Sequence, residues 1–174
     1  MEEEILIVNK NFLKVLEKLC KLLGEKVEWM VVGSASLALQ GVEIEPKDID
    51  ILTTKEGAYK ISSILKEYEV KPVKFSKSRV FSSHFGKFRV EGIDVEIMGD
   101  LKAKVKGRWL PLTWRLKRPV FVKIGKLGIP VSRLEDQLKV YSMINRKKNL
   151  ERVEKIRELY IGKLFKKVSL QTEL

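Results

Sequence analysis

A single cysteine, Cys20, stands in 174 residues. It can close no intramolecular disulfide, and no cysteine-built zinc site is available. The one histidine, His84, excludes a His-rich metal centre and argues against a Cys–His nucleophilic pair. Asparagine (4) and glutamine (3) are scarce beside lysine (26) and glutamate (18), a balance also met in heat-adapted proteins. No apolar run approaches the ~18 residues of a membrane-spanning helix. The opening MEEEILIVNK is acidic, without the basic-then-apolar layout of a secretory signal. With 44% apolar and 33% charged residues, the chain is neither disordered nor a membrane protein by composition. The expectation is a cytoplasmic globular protein with no membrane partner.

What is present is unevenly charged. Residues 1–100 carry 15 Lys/Arg against 17 Asp/Glu, and residues 101–174 carry 20 against 6. The front is therefore near neutral at −2 and the back strongly basic at +14, a field that attracts phosphates, nucleotides or nucleic acid. The length suits one domain with a sizeable core. The division expected is a catalytic unit over residues 1–130 and a basic helical segment over 131–174 packed on it.

Periodicity supplies the elements. Phe12, Val15, Leu16, Leu19 and Leu23 fall on one helical stripe that Gly24 stops. Val27–Val32 reads as a buried strand ending at Gly33, followed by a helix over Ser34–Gln40. Asp48–Thr53 alternates polar and apolar as a half-buried strand does. Thr53 with Glu56 predicts a capping box for a helix to about Tyr68. Val70–Phe75, Val80–His84, Phe88–Val90, Ile93–Met98 and Val120–Ile124 read as further strands. Ser132 with Glu135 predicts a second capping box and a helix to about Asn145. Asn149 is the expected cap of a last helix, with Leu150, Val153, Ile156, Tyr160 and Leu164 inward. The fold class is α/β (α+β), a mixed sheet flanked by helices. GRWLPLTWRLKRP, residues 107–119, interleaves aromatics with cations, a pattern that suits single-stranded nucleic acid or a planar acceptor, but the favoured reading is a hairpin whose tryptophans cover the core.

The chemistry concentrates between Val31 and Leu52, VVGSASLALQGVEIEPKDIDIL. A strand runs into Gly33-Ser34 and a helix begins at once. Glycine permits close backbone approach, serine adds a hydroxyl, and helix starts favour anions. In Asp48-Ile49-Asp50, residues i and i+2 of a strand share one face about 6.6–7 Å apart. Two carboxylates on one face repel unless a cation sits between them, and Mg²⁺ takes hard oxygen ligands together with phosphate oxygens. A second acidic strand, VEGIDVEIMGD, offers Asp94 and Glu96 on one face. Paired beside Asp48–Thr53, it would complete a metal clamp for phosphoryl or nucleotidyl transfer. Asp94 is the first choice for the third ligand and for accepting a hydroxyl proton; Glu96 is its competitor.

The order Gly33-Ser34, then Asp48-Ile49-Asp50-Ile51, then Ile93-Asp94-Val95 resembles the nucleotidyltransferase (DNA polymerase β-like) superfamily. GVEIEPKDIDI is similar to its small stand-alone members, which include antibiotic adenylyltransferases and minimal, toxin-related proteins. SHFGKFRVEGIDVEIMGDL resembles a prokaryotic branch of the same group. The resemblance implies that Gly33 and Ser34 hold nucleotide phosphates and that Asp48, Asp50 and Asp94 bind Mg²⁺, two ions in all. It implies transfer of a nucleoside monophosphate from an NTP, ATP foremost, to an acceptor hydroxyl. The acceptor stays open among a small molecule, tRNA and protein. Lys139 and Tyr141, on the penultimate helix, are candidate nucleotide contacts. Many small members place an Arg shortly before the Asp pair, where this chain has Glu45-Pro46-Lys47. The alternatives are a catalytically weak module binding RNA or a protein partner through basic residues 101–174, and a toxin that modifies tRNA or protein.

Overall fold

The computed structural model describes residues 8–172, so the acidic opening, residues 1–7, lies outside the described residues. Helix α1, Lys10–Leu23, follows the predicted stripe: Phe12, Val15, Leu16, Leu19 and Leu23 are all buried. Each such side chain contributes about 1.5–3 kcal/mol by leaving water. The Asn9 side chain accepts from the Phe12 amide at 2.9 Å and caps the helix. Cys20 is a packing residue, its Sγ donating to the Gly128 carbonyl.

Strand β1, Trp29–Val32, runs into helix α2, Gly33–Leu39, and strand β2 is Asp48–Thr53. Helix α3, Lys55–Ile64, is capped by Thr54, which accepts from the Gly57 amide at 3.0 Å. The expected cap, Thr53, lies one residue earlier and is still in the strand, where its hydroxyl donates to the Glu28 carbonyl. The helix stops at Ile64, and Lys66–Tyr68 is a separate 3₁₀ turn.

Strands β3, Glu69–Lys77, β4, Phe81–Val90, and β5, Ile93–Val105, form a meander. What the sequence divides at Ser and Gly is one continuous β4, and β5 runs seven residues beyond Met98. Then come β6, Arg108–Pro111, a 3₁₀ turn, Thr113–Lys117, and the hairpin β7, Val120–Ile124, with β8, Leu127–Val131. The sheet order is β3-β4-β5-β2-β1-β8-β7, with β6 paired to β5. Parallel contacts join β2 to β5 and β1 to β8, and the other pairs are antiparallel.

Each face of the sheet has its own core. Val31, Ile49, Ile51, Val95 and Ile97 pack toward α1 and Ala58 of α3. Met30, Val32 and Leu52 face the other way, with Leu112 and Leu116. A bulge at Asp100 (φ +49), with a register shift opposite it between Ser82 and His84, reverses the alternation along β5. Glu96 and Met98 before it, and Leu101 and Ala103 after it, therefore all serve this second face.

Helix α4, Leu134–Met143, closes that face with Val140 and Ile144. Its N-cap is Arg133, without a side-chain bond; the expected cap, Ser132, is buried behind α2 instead. Helix α5 is Lys147–Thr172. Asn149 is not its cap but a buried residue of its first turn, donating from Nδ2 to the Ile144 carbonyl at 2.9 Å. Val153 and Ile156 are buried as predicted, but Leu150, Tyr160 and Leu164 are exposed: only the first half of α5 has the domain beneath it. No helix among the described residues is long and apolar enough to cross a membrane.

Candidate active site

The register of β2 on β5 builds the site. Asp48 stands beside Asp94, and Asp50 beside Glu96. Side chains two apart on a strand share a face, so all four carboxylates start from one surface. Their side chains then part. Asp94 turns toward β4, where Arg89 donates to its Oδ1 at 2.8 Å from Nη2 and Lys87 lies 3.3 Å from its Oδ2. The Arg89 guanidinium, aided by Lys87, holds the Asp94 carboxyl below its ordinary range. Glu96 turns the other way. Asp48, Asp50 and Glu96 each offer a carboxylate oxygen within 4.8 Å of one another. Glu96 rather than Asp94 thus joins the Asp pair, because the arginine and lysine of β4 occupy Asp94.

Asp50 is strongly perturbed. Burial, then the charges of Asp48 and Glu96, push its carboxyl up to about 7, against a smaller opposing pull from Arg152. Its Oδ1 is buried and has no hydrogen-bond partner among the described residues. A buried oxygen without a partner is costly, and the hard donors around it suit Mg²⁺. The residues present fit such an ion.

Gly33 makes this geometry possible. Its φ is +70°, and a Cβ there would stand 2.7 Å from Asp50 Oδ2. Its amide, expected to face a phosphate, donates instead to Gln137 Oε1 at 3.0 Å. The same oxygen accepts from the Tyr141 hydroxyl at 3.1 Å, while Gln137 Nε2 donates to Ser36 Oγ at 3.0 Å. Helix α4 thereby pins the glycine turn. Sequence reasoning missed Gln137, which belongs to no motif and is buried only by the packing of α4 on the glycine turn. Ser34 is nearly buried and borders a depression of about 390 Å³ with Lys47, Asp48 and Lys155.

Tyr141 lies in the site, buried, with the Arg152 guanidinium 5.3 Å over its ring. Lys139 does not: it is exposed, its Nζ 5.0 Å over the Trp114 ring, and it lines neither depression at the acids. Trp109 packs beneath Lys77 and Lys104. His84 is also remote, bonded through Nδ1 to the Tyr59 hydroxyl at 3.0 Å. On the Glu96 side opens a cavity of about 350 Å³, floored by Phe81, Phe85, Met98 and Leu112 and bordered by Arg115 and Arg152.

Residues 12–156 match the sequence profile of the aminoglycoside-2″-adenylyltransferases. The chain belongs to that family. A crystal structure of a candidate nucleotidyltransferase from Thermotoga maritima is 41% identical to this family member, with a TM-score of 0.74, covering 89% of this chain and 94% of the other. Two further structures are similar at lower scores. The antibiotic-resistance factor ANT(2″)-Ia is 10% identical at a TM-score of 0.48, with 92% of this chain and 95% of that one covered. The CCA-adding enzyme of Thermotoga maritima, solved with tRNA, is 14% identical at 0.44, with 92% and 46% covered. No curated protein sequence matches the chain. Family and fold are those of a nucleotidyltransferase, with an acidic triad where a metal could sit.

Proposed function

We propose that this chain is a cytoplasmic, Mg²⁺-dependent nucleotidyltransferase that moves a nucleoside monophosphate from an NTP, ATP first among them, to an acceptor hydroxyl. The observation that carries the reading is the convergence of Asp48, Asp50 and Glu96 beside the Gly33 turn, with Asp50 Oδ1 buried and unsatisfied. Bound Mg²⁺, as one ion or two, supplies neutralisation of phosphate oxygens during in-line transfer. Asp48, Asp50 and Glu96 hold it. Ser34, Lys47 and Lys155 border the depression on the Asp48 side, and their hydroxyl and ammonium groups suit a triphosphate. The acceptor oxygen bonds to the α-phosphorus, the bond to the β-phosphate breaks, and pyrophosphate leaves. Glu96, which lines the cavity of about 350 Å³, receives the hydroxyl proton. Tyr141 and Gln137 hold the turn in place rather than touching the reacting atoms.

The test is incubation of the protein with Mg²⁺ and each α-labelled NTP, with and without candidate acceptors. Label transfer or pyrophosphate release that disappears in Asp48→Asn and Glu96→Gln is expected; release unchanged in both variants would overturn the reading. A module that only bound RNA through residues 101–174 would behave differently, losing affinity steeply with salt and ignoring both substitutions.

A further inference from the structure

The cavity on the Glu96 side holds more positive charge than its acids require. Arg115, Arg146, Lys148 and Arg152 border it, and among the described residues its only carboxylates are Asp50 and Glu96. Both belong to the acidic triad, so a bound divalent cation uses them up. Arg115 is 3% exposed. Its Nε donates to the Leu112 carbonyl, and it forms no ion pair among the described residues. Asp136, the carboxylate whose charge acts on it, is itself paired with Arg118 at 3.2 Å. A buried guanidinium is normally matched by an anion. Arg152 adds a buried Nε that has no hydrogen-bond partner among the described residues. The depression on the Asp48 side gives no refuge to a cation either. Lys47 and Lys155, with the shared Lys148 and Arg152, outnumber its two remaining acids, Glu45 and Glu151.

An acceptor hydroxyl must reach the triad through one of these two openings. A polyammonium sugar would find cations in both and no free carboxylate in the Glu96-side cavity. The planar forks of Arg115 and Arg152 match a phosphate or a carboxylate, and Phe81, Phe85 and Met98 offer an apolar floor to the rest of the molecule. We infer that the acceptor used by this chain carries an oxyanion, phosphate or carboxylate, on the same small body as its hydroxyl, and is not the aminoglycoside that the family description names. The inference rests on the nucleotidyltransferase reading above, since it names the acceptor of that reaction.

Binding is measured by calorimetry on the full chain in Mg²⁺, with ribose 5-phosphate, gluconate, ribose and kanamycin as probes. The expected result is that one of the two anions binds at least about tenfold more tightly than neutral ribose, and that kanamycin binds more weakly than either anion. Ribose 5-phosphate against gluconate separates phosphate from carboxylate. The advantage of the anion falls to no more than a few fold in Arg115→Gln. Arg146→Gln, an exposed position whose guanidinium lies 5.5 Å over the Phe81 ring, lowers it in a protein whose core is untouched. Kanamycin binding as tightly as the better anion, anions no better than ribose, or an anion advantage that survives both substitutions would each overturn the inference. Pyrophosphate release, scored separately in wild type and Asp48→Asn, shows whether the transferase reading itself has failed.

Discussion

Asp50→Asn should make the metal-free protein more stable while disabling it, and the gain should depend on pH. The carboxyl is pushed from its ordinary 3.8 up to about 7 by burial and by Asp48 and Glu96. In the unfolded chain the group ionises near its ordinary value. Between the two values the folded state holds a proton that the unfolded state has released, so stability falls as pH rises, by about 1.4 kcal/mol per unit, and levels off above about 7. Asparagine has no such dependence. From pH 5 to pH 8 the stability of the variant relative to wild type should therefore increase by about 3 kcal/mol, accumulated over the two units from 5 to 7. For a protein of this size that corresponds to roughly 6–12 °C in Tm.

The assay is thermal unfolding of both proteins in a chelator across that range, followed by titration with Mg²⁺ or Mn²⁺ at pH 8. The metal should restore stability to wild type, by about 3 kcal/mol at a hundredfold excess over its Kd, and do little for the variant. A difference between the proteins that is flat from pH 5 to pH 8 would refute the electrostatic reasoning. It would mean that Arg152, or water, already compensates the triad when no metal is bound.

The two carboxylates of β5 should separate cleanly in kinetics: Glu96→Gln should lower nucleotidyl transfer at least about a hundredfold, whereas Asp94→Asn, which loses only partly exposed ion pairs, should change metal affinity little and stability by less than about 1 kcal/mol. Gly33→Ala forces a Cβ against Asp50 Oδ2 at a positive φ; it should cost about 1–3 kcal/mol and weaken metal binding measured by calorimetry. Gln137→Leu leaves the Gly33 amide and the Tyr141 hydroxyl buried without their acceptor, a loss of about 2–4 kcal/mol readable in urea unfolding. Lys139→Ala, by contrast, should leave the KM for NTP unchanged, since the side chain lies over Trp114.

The features legible in the sequence are those set by local period. The α1 stripe, the alternation of β2 and the carboxylates of β5 follow from spacing along one element, and the structure places them so. The choice between Asp94 and Glu96 was not local. Both leave the same face of the same strand, and what divides them is Arg89 and Lys87 on β4, whose register against β5 no spacing rule supplies. The caps failed for a related reason. Ser132 and Thr53 satisfy the pattern of a capping box, but the Thr53 hydroxyl bonds the Glu28 carbonyl, and Ser132, whose carbonyl accepts from the Ser36 and Gln40 side chains, lies buried with a hydroxyl that has no partner among the described residues. Strand β8 was missed because Pro130 reads as a terminator. Proline sits there in the antiparallel pair with Phe121, close to the point where β8 meets β1 through Val31 and Val131 alone.

The same contrast explains why Arg115, Gln137 and Arg152 could not be singled out from sequence. Gln137 and Arg152 belong to no motif, and Arg115 is one cation among several in residues 107–119; each matters because the sheet bulge at Asp100 and the packing of α4 bring distant segments onto one face. The triad alone is an acidic cluster that could hold a metal ion. It states that a divalent cation and a phosphate chain can meet there, and it is silent about the acceptor. That information lies in the wall opposite, where a buried arginine from the β6–β7 connection and one from α5 border the cavity, whose only carboxylates among the described residues are the triad's Asp50 and Glu96. A protein that modified cations would gain by replacing either residue with an acid. Keeping both guanidiniums beside the acidic triad costs desolvation that an anionic guest offsets.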